Sequence, residues 1–239
     1  MARRNSGLFD RSYPDEYRRP KVPLQTADAL MADLKNLEVN LGKPCNSRCV
    51  FCISAEERIR SWAPHREVEA VLLRGYRKGL RSLGLLGGEP TAYPGIEDVV
   101  SYARRIGYQR IGLVSNGLRL ADFACARRLA DAGVSRIALS IHSMRADLEC
   151  RLTGIPGAFN SKVRAVKNLV KLRKQGYFKD NISLNAVLTR PLLAELDEYV
   201  RFFSRRGIRD MRFNGLWPNG ALRRDAAFVP RYREVIPAI

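Results

Sequence analysis

The sequence predicts an α/β fold, an open (β/α)6 partial TIM barrel of parallel strands, and three observations predict it. One unit recurs through most of the chain: an apolar run, a loop, an amphipathic stretch and a glycine. The apolar runs are joined through helical stretches rather than tight turns, which is the pattern of a parallel sheet with a covered face. The unusual polar loops all follow apolar runs, and in parallel α/β folds ligands bind at the carboxyl ends of the strands.

With 239 residues, 46% of them hydrophobic, the chain can bury the core of one large α/β domain or at most two small ones. A closed eight-stranded barrel typically needs about 250 residues, so the units here make an open one. The strands read as residues 37–41, 82–86, 110–114, 136–141, 182–188 and 210–214. Apolar positions at helical spacing mark the helices between and after them. These positions are Val68, Val71, Leu72 and Tyr76; Ile96, Val99, Val100 and Ala103; Phe123, Ala126, Leu129 and Ala130; Val163, Val166, Leu169 and Val170; and Leu196, Tyr199, Val200 and Phe203. Gly79, Gly107, Gly133, Gly176 and Gly207 stand where a left-handed residue ends each helix.

Around this core, residues 37–217, the sequence suggests two flanks. Residues 1–36 read as a basic N-terminal extension packed on the barrel, with a short helical piece at 27–34. Residues 218–239 read as the start of a C-terminal segment that breaks off in the beginning of another helix, as in a fragment or in a compact protein whose pocket a partner completes.

The formal net charge is +18, carried mostly by arginine. Such a charge attracts nucleic acid or an anionic substrate. Arg104-Arg105, Arg127-Arg128 and Arg205-Arg206 fall in or at the ends of helices, where the macrodipole favours cations near the C-terminus, so nucleic acid is permitted rather than favoured. No apolar run is long enough to span a bilayer, and no apolar signal region follows Arg3 and Arg4. Five cysteines, three of them in one loop, fit a reducing compartment, and the expected location is cytoplasmic with no membrane partner.

The chemistry-bearing stretch follows the first strand: Cys45, Cys49 and Cys52, spaced C-x3-C-x2-C. Cysteine thiolates hold cubane clusters, and three without an obvious fourth leave one iron open. Zinc accepts thiolates too, although a structural zinc site wants a fourth ligand and the nearest histidine, His65, has no finger-like pairing. An odd number of cysteines speaks against disulfides. From the triplet alone both metals stay open.

The later strands end in further polar groups: Gly87-Gly88-Glu89-Pro90, Ser115-Asn116-Gly117, Ser140-Ile141-His142, Asn185, and Arg151 beyond the fourth strand. Singly, these are turns, pocket walls or surface charges. In their order and spacing, together with the triplet, they resemble the radical S-adenosylmethionine (SAM) superfamily over most of the chain, from Leu37 to Trp217. The likeness is strongest to the broad class containing molybdenum-cofactor, nitrogenase-cofactor and peptide-modifying members.

That resemblance implies the following. Cys45, Cys49 and Cys52 ligate a [4Fe-4S] cluster whose open iron chelates the amino and carboxylate groups of SAM. Phe51 lies near the adenine, and Gly87, Gly88 and Glu89 hold the methionine ammonium. Ser115 and Asn116 face the methionine carboxylate, Ser140 contacts the ribose or carboxylate, and Arg151 reaches the carboxylate. Asn185 and Val187 lie near the adenine, without the glycine-rich form usual for that contact. His142 stands where the family has an acid, as a substrate-facing group, a proton donor and so a candidate catalytic residue, or a pocket wall. From the residues themselves, Asn214, Trp217, Trp62 and His65 are candidates to face substrate, with core packing a sufficient reason for either tryptophan, and Cys125 and Cys150 read as small buried hydrophobes.

The activity implied is reductive cleavage of SAM to a 5′-deoxyadenosyl radical, which takes a hydrogen atom from a small-molecule, cofactor-precursor or peptide substrate. The electron comes from a donor such as flavodoxin or ferredoxin. The alternatives are a radical SAM enzyme modifying RNA and a zinc-stabilised binding module.

Overall fold

A computed structural model describes residues 36–54, 61–216 and 228–235. They belong to one compact unit beginning at Lys35. The N-terminal extension up to Lys35 with its helical piece, Trp217 and residues 218–227 lie outside the described residues.

Six strands, β1 (Asn36–Asn40), β2 (Ser82–Leu86), β3 (Arg110–Ser115), β4 (Arg136–Ser140), β5 (Asn181–Leu188) and β6 (Asp210–Gly215), form one sheet in sequential order. Every pairing is parallel. All six expected strands are present, with small shifts at their ends. Strand four stops one residue earlier than expected because, past Ser140, the carbonyl of Ile141 leaves the ladder and accepts from the Tyr199 hydroxyl at 2.8 Å.

The helices are α1 (His65–Arg77), α2 (Ile96–Ile106), α3 (Phe123–Ala132), α4 (Ala146–Thr153), α5 (Ala158–Lys174), α6 (Arg190–Ala194), α7 (Leu196–Ser204) and α8 (Tyr232–Val235). Gly107 and Gly133 cap α2 and α3 at φ 113° and 118°, so the expected left-handed stops are real. Of the apolar positions assigned to helix faces, Val200 is the exception: it is exposed, while Tyr199 and Phe203 on the same helix are buried. Helix α4 was not expected from periodicity. It has eight residues, and its buried side chains, Leu148, Glu149, Leu152 and Thr153, mix apolar with polar.

The pleat sorts the sheet into two faces. Val39, Leu83, Leu85, Ile111, Leu113, Ile137, Leu139, Ile182, Leu184 and Leu188 are buried in the core. The opposite face lines the barrel interior and carries Glu38, Asn40, Arg136, Ser140, Asn185 and Arg212. Gly84 and Gly112 are cross-strand partners on that interior face. A Cβ on Gly112 would lie 2.4 Å from Arg136 Nε, and the Arg136 guanidinium donates to Asn36 Oδ1 at 3.0 Å. The missing side chain therefore makes room for one arginine to cross from the fourth strand to the first at the amino ends of the strands. The carboxyl ends carry the polar loops.

Candidate active site

The cysteine loop is held from both sides by backbone. At its start, Gly88 N donates to Gly42 O at 2.7 Å and Glu89 N to Pro44 O at 3.0 Å. A Cβ on Gly88 would sit 2.1 Å from Pro44 O and 2.4 Å from Lys43 O. The glycine pair after β2 is thus required by the close approach of the cysteine loop's own entry, a reason that neither a plain turn nor a ligand contact supplies. At the loop's far side, Arg48 N donates to Thr153 O at 2.8 Å and Val50 N to Leu152 O at 2.9 Å, with the Ser47 hydroxyl also on Thr153 O at 3.1 Å. Carbonyls at a helix C-terminus lack intrahelical partners, and the end of α4 gives these to the loop.

Within this frame Cys45, Cys49 and Cys52 are free and partly exposed. Burial pushes the thiols of Cys45 and Cys49 above their ordinary value, and a bound cation reverses that preference by favouring thiolate. Ser47 Oγ lies 3.2 Å from Cys49 Sγ, and Asn116 Nδ2 lies 3.7 Å from Cys45 Sγ. Polar groups beside cluster sulfurs are one means by which proteins set cluster potentials. Among the described residues no three His, Cys, Asp or Glu side chains converge as a single ion requires. A cubane places its irons at separate corners, so its thiolates need no common point. The donor set fits a cluster.

Glu89 is fully buried. Its Oε1 accepts from Thr91 N at 3.0 Å, the Thr91 hydroxyl at 2.6 Å and the Ser115 hydroxyl at 2.7 Å, while Oε2 accepts from Asn116 N at 2.7 Å. Asn116 in turn donates from Nδ2 to Asn46 Oδ1 at 2.7 Å. The carboxylate so ties the ends of β2 and β3 to the cysteine loop. A carboxylate has about four acceptor sites, and Oε2, with a single donor, is the oxygen with acceptor capacity to spare.

The exit of β4 is built around a second buried carboxylate, which the sequence reading missed. Glu149 Oε2 accepts from His142 N and Ser143 N, both at 2.8 Å. Its Oε1 pairs with Lys162 Nζ at 2.5 Å, with both side chains almost wholly inaccessible. Lys162 also donates to Ser140 O at 2.7 Å. His142 is buried, and its Nδ1 accepts from Val187 N at 3.2 Å, which places the ring proton on Nε2. Burial pulls the imidazole pKa down to about 4, so near neutral pH it is an uncharged donor. The Phe51 ring meets it edge-on, centroids 4.7 Å apart. Of the roles open to His142, a neutral wall of the pocket fits this geometry.

Asn185 pairs in register with Ser140 on the interior face, and its Oδ1 is buried without a hydrogen-bond partner among the described residues. Such orphaned acceptors are rare and point to a missing ligand or water. Arg151 lies on the exposed side of α4 with its guanidinium 4.5 Å from the Phe228 ring centroid. Trp62 bridges Gly42 through backbone and packs edge-on against Tyr93. His65 stacks on the same ring and pairs with Glu69, so these two support the loop's base. Asn214 is exposed near the end of β6. Cys125 is buried, as expected, whereas Cys150 is only partly so.

A parallel open barrel with three free cysteines after its first strand and a Gly-Gly-Glu turn after its second defines a class of iron–sulfur proteins that bind a nucleoside cofactor at the strand ends. The radical SAM superfamily pattern matches residues 39–211, and the chain belongs to that superfamily. The family's cofactors, a [4Fe-4S] cluster and SAM, are those of this chain.

Among curated relatives, the chain is 34% identical over 185 residues to the GTP 3′,8-cyclase of Pelotomaculum thermopropionicum, covering 69% of this chain and 55% of that protein. It is 27% identical over 194 residues to a probable GTP 3′,8-cyclase of Sulfurisphaera tokodaii, covering 81% of this chain and 59% of that protein. The chain thus spans less than two thirds of the length of these relatives. Among solved structures, Streptococcus suis SuiB bound to S-adenosylmethionine superposes with TM-score 0.69 at 19% identity, over 89% of this chain and 48% of that one. The enzyme anSMEcpe with bound AdoMet and a peptide gives TM-score 0.69 at 16% identity, over 85% of this chain and 57% of that one. These likenesses bear on the fold alone.

Proposed function

We propose that the chain is the catalytic core of a radical SAM enzyme acting on a small-molecule cofactor precursor, with GTP the first substrate to test. The observation that carries the reading is the cysteine loop itself, three free thiols on a loop fixed by backbone to the Gly-Gly-Glu turn on one side and to α4 on the other. The relatives named GTP 3′,8-cyclase support the substrate class. When bound and reduced, the cluster and SAM supply reductive cleavage to a 5′-deoxyadenosyl radical that takes hydrogen from substrate.

The residues of this chain then act as follows. Cys45, Cys49 and Cys52 hold iron. The backbone of Gly87 and Gly88 and the spare capacity of Glu89 Oε2 orient the methionine ammonium, and Ser115 and Asn116 set the loop against it. Ser140 and Asn185 Oδ1 offer polar contacts on the interior face. Phe51 and neutral His142 form the adenine-side wall and exclude water. Arg151, stacked on Phe228, is a carboxylate contact from the rim. The electron comes from a small acidic donor such as flavodoxin or ferredoxin. Among the described residues no helix is long and apolar enough to cross a membrane.

The test is 5′-deoxyadenosine formation by anaerobically reconstituted protein with dithionite and SAM, with and without GTP, beside a Cys49→Ala control. About four irons per chain, with SAM cleavage by wild type alone, is the expected result. Cleavage that GTP neither stimulates nor couples to a new nucleotide product would remove GTP as substrate. Zinc in place of iron, without SAM binding, would overturn the reading.

A further inference from the structure

We propose that the buried Glu149–Lys162 pair is a positioning element that sets the spacing between the cysteine loop and the β4 wall of the cofactor pocket. The inference rests on the functional reading above for the identity of the cofactor, and on the following geometry for the role.

Two side chains on separate helices, α4 and α5, satisfy three backbone groups at the exit of β4: Lys162 takes Ser140 O, and Glu149 takes the amides of His142 and Ser143. No neutral pair does this as well. A carboxylate accepts from two amides and an ammonium at once, whereas a glutamine amide presents donors at one end. The same glutamate sits one helical turn before the carbonyls that hold the cysteine loop. Its own backbone carbonyl accepts the Thr153 hydroxyl at 2.7 Å, and Thr153 O accepts from Arg48 N and Ser47 Oγ. Ser47 Oγ reaches Cys49 Sγ. A short polar path therefore runs from the ion pair to a cysteine on one side and to Ser140 and His142 on the other.

Packing alone does not demand a charge pair here. Replacing a buried ion pair by apolar residues of similar volume is often neutral or stabilising. What apolar residues cannot do is hold the Ser140 carbonyl and the two amides that follow it in place. That makes the pair a determinant of geometry more than of stability.

The experiment uses the full chain. Amide hydrogen exchange on apo protein compares wild type, Lys162→Met and an Arg127→Ala control that removes an exposed pair with Asp131 and the guanidinium's contact with the Tyr177 ring. The expected result is exchange faster by about tenfold or more in Lys162→Met at both His142–Ser143 and Arg48–Val50, with α1 and β2 unchanged. On reconstituted protein, SAM affinity is read from the SAM-induced change in the electron paramagnetic resonance spectrum of the reduced cluster. It should fall about tenfold at unchanged iron content. Uniform loosening of the whole fold, or loosening confined to His142–Ser143 with SAM affinity within about twofold of wild type, overturns the proposal. Should Lys162→Met melt below the working temperature, Glu149→Gln keeps the side-chain volume and is judged by the same two readouts. Wild-type protein that takes up neither iron nor SAM would sink the functional reading, while the exchange result on apo protein would still judge the pair.

Discussion

Gly88→Ala isolates the contact on which the site's geometry turns. Gly88 has no left-handed backbone, so its substitution is a question of space alone. The added Cβ would meet Pro44 O at 2.1 Å, Lys43 O at 2.4 Å and Lys43 C at 2.6 Å. All three are backbone atoms, which cannot rotate away. Relief requires the segment entering the cysteine loop to move outward, and that movement breaks the 2.7 Å bond from Gly88 N and the 3.0 Å bond from Glu89 N. Overpacking costs about 1–3 kcal/mol, and each hydrogen bond lost adds about 1 kcal/mol. The sum is about 3–5 kcal/mol, or a fall in Tm of about 6–20 °C for a domain of this size. Gly157→Ala is the control, because Gly157 has φ 71° but open space around its Cβ position. It should cost only the left-handed strain of about 1–2 kcal/mol. The assay is thermal and urea unfolding of apo protein, followed by iron per chain after anaerobic reconstitution. Gly88→Ala should lose both stability and iron, and Gly157→Ala should keep its iron. Equal losses in the two variants, or full iron in Gly88→Ala, would refute the view that the Gly-Gly turn is shaped by the cysteine loop.

Further outcomes follow from the same geometry. Asn185→Leu removes a buried acceptor that has no partner among the described residues, so apo stability should hold or rise by about 1 kcal/mol while SAM or substrate affinity falls; a stability loss with unchanged affinity would show that the amide is merely structural. Glu89→Gln should cost about 1–3 kcal/mol in urea unfolding, because an amide kept in register for Thr91 and Ser115 turns its NH2 toward the Asn116 amide. For His142, the folded pKa of about 4 lies below the ordinary value of about 6.5, so the unfolded chain binds more protons between them. Its contribution is present above pH ~6.5 and is lost as pH falls toward 4, about 3 kcal/mol in all. The stability difference between wild type and His142→Asn should therefore shrink across that window, and a difference independent of pH would rule out a neutral buried imidazole.

What could be read from the sequence, and what could not, follows from how far each signal reaches along the chain. The strands and long helices repeat an apolar period over many residues, and the glycines that stop them have local backbone reasons, so they were visible without the fold. Strand order followed because each unit connects to the next through a helix. Helix α4 was invisible because eight residues give barely two turns of period, and its buried face includes Glu149 and Thr153. Lys162 is one of several cations on its helix. Its partner lies 13 residues away on another helix, and no local pattern marks such a pair. In the sequence the Gly87-Gly88 pair reads as a turn or, by the family resemblance, as a ligand contact. The backbone that comes close to it belongs to the chain itself.

Two buried carboxylates, placed on opposite sides of the cysteine loop, now carry different parts of its support. Glu89 joins β2 and β3 to the loop's entry through Asn116 and Asn46. Glu149 joins the exit of β4 to the loop's far side through α4. Each spends most of its acceptor capacity inside the protein, and each accepts backbone amides at a strand end where the ladder has stopped. Under the proposed function, a loop that presents three thiols to a cluster cannot stabilise itself by burying them. Its fixed shape has to come from neighbours that are themselves rigid, and strand ends locked by buried carboxylates are such neighbours. On this argument the loop's conformation is set before any iron arrives, and exchange protection at Arg48 and Val50 in apo protein should change little when the cluster is built.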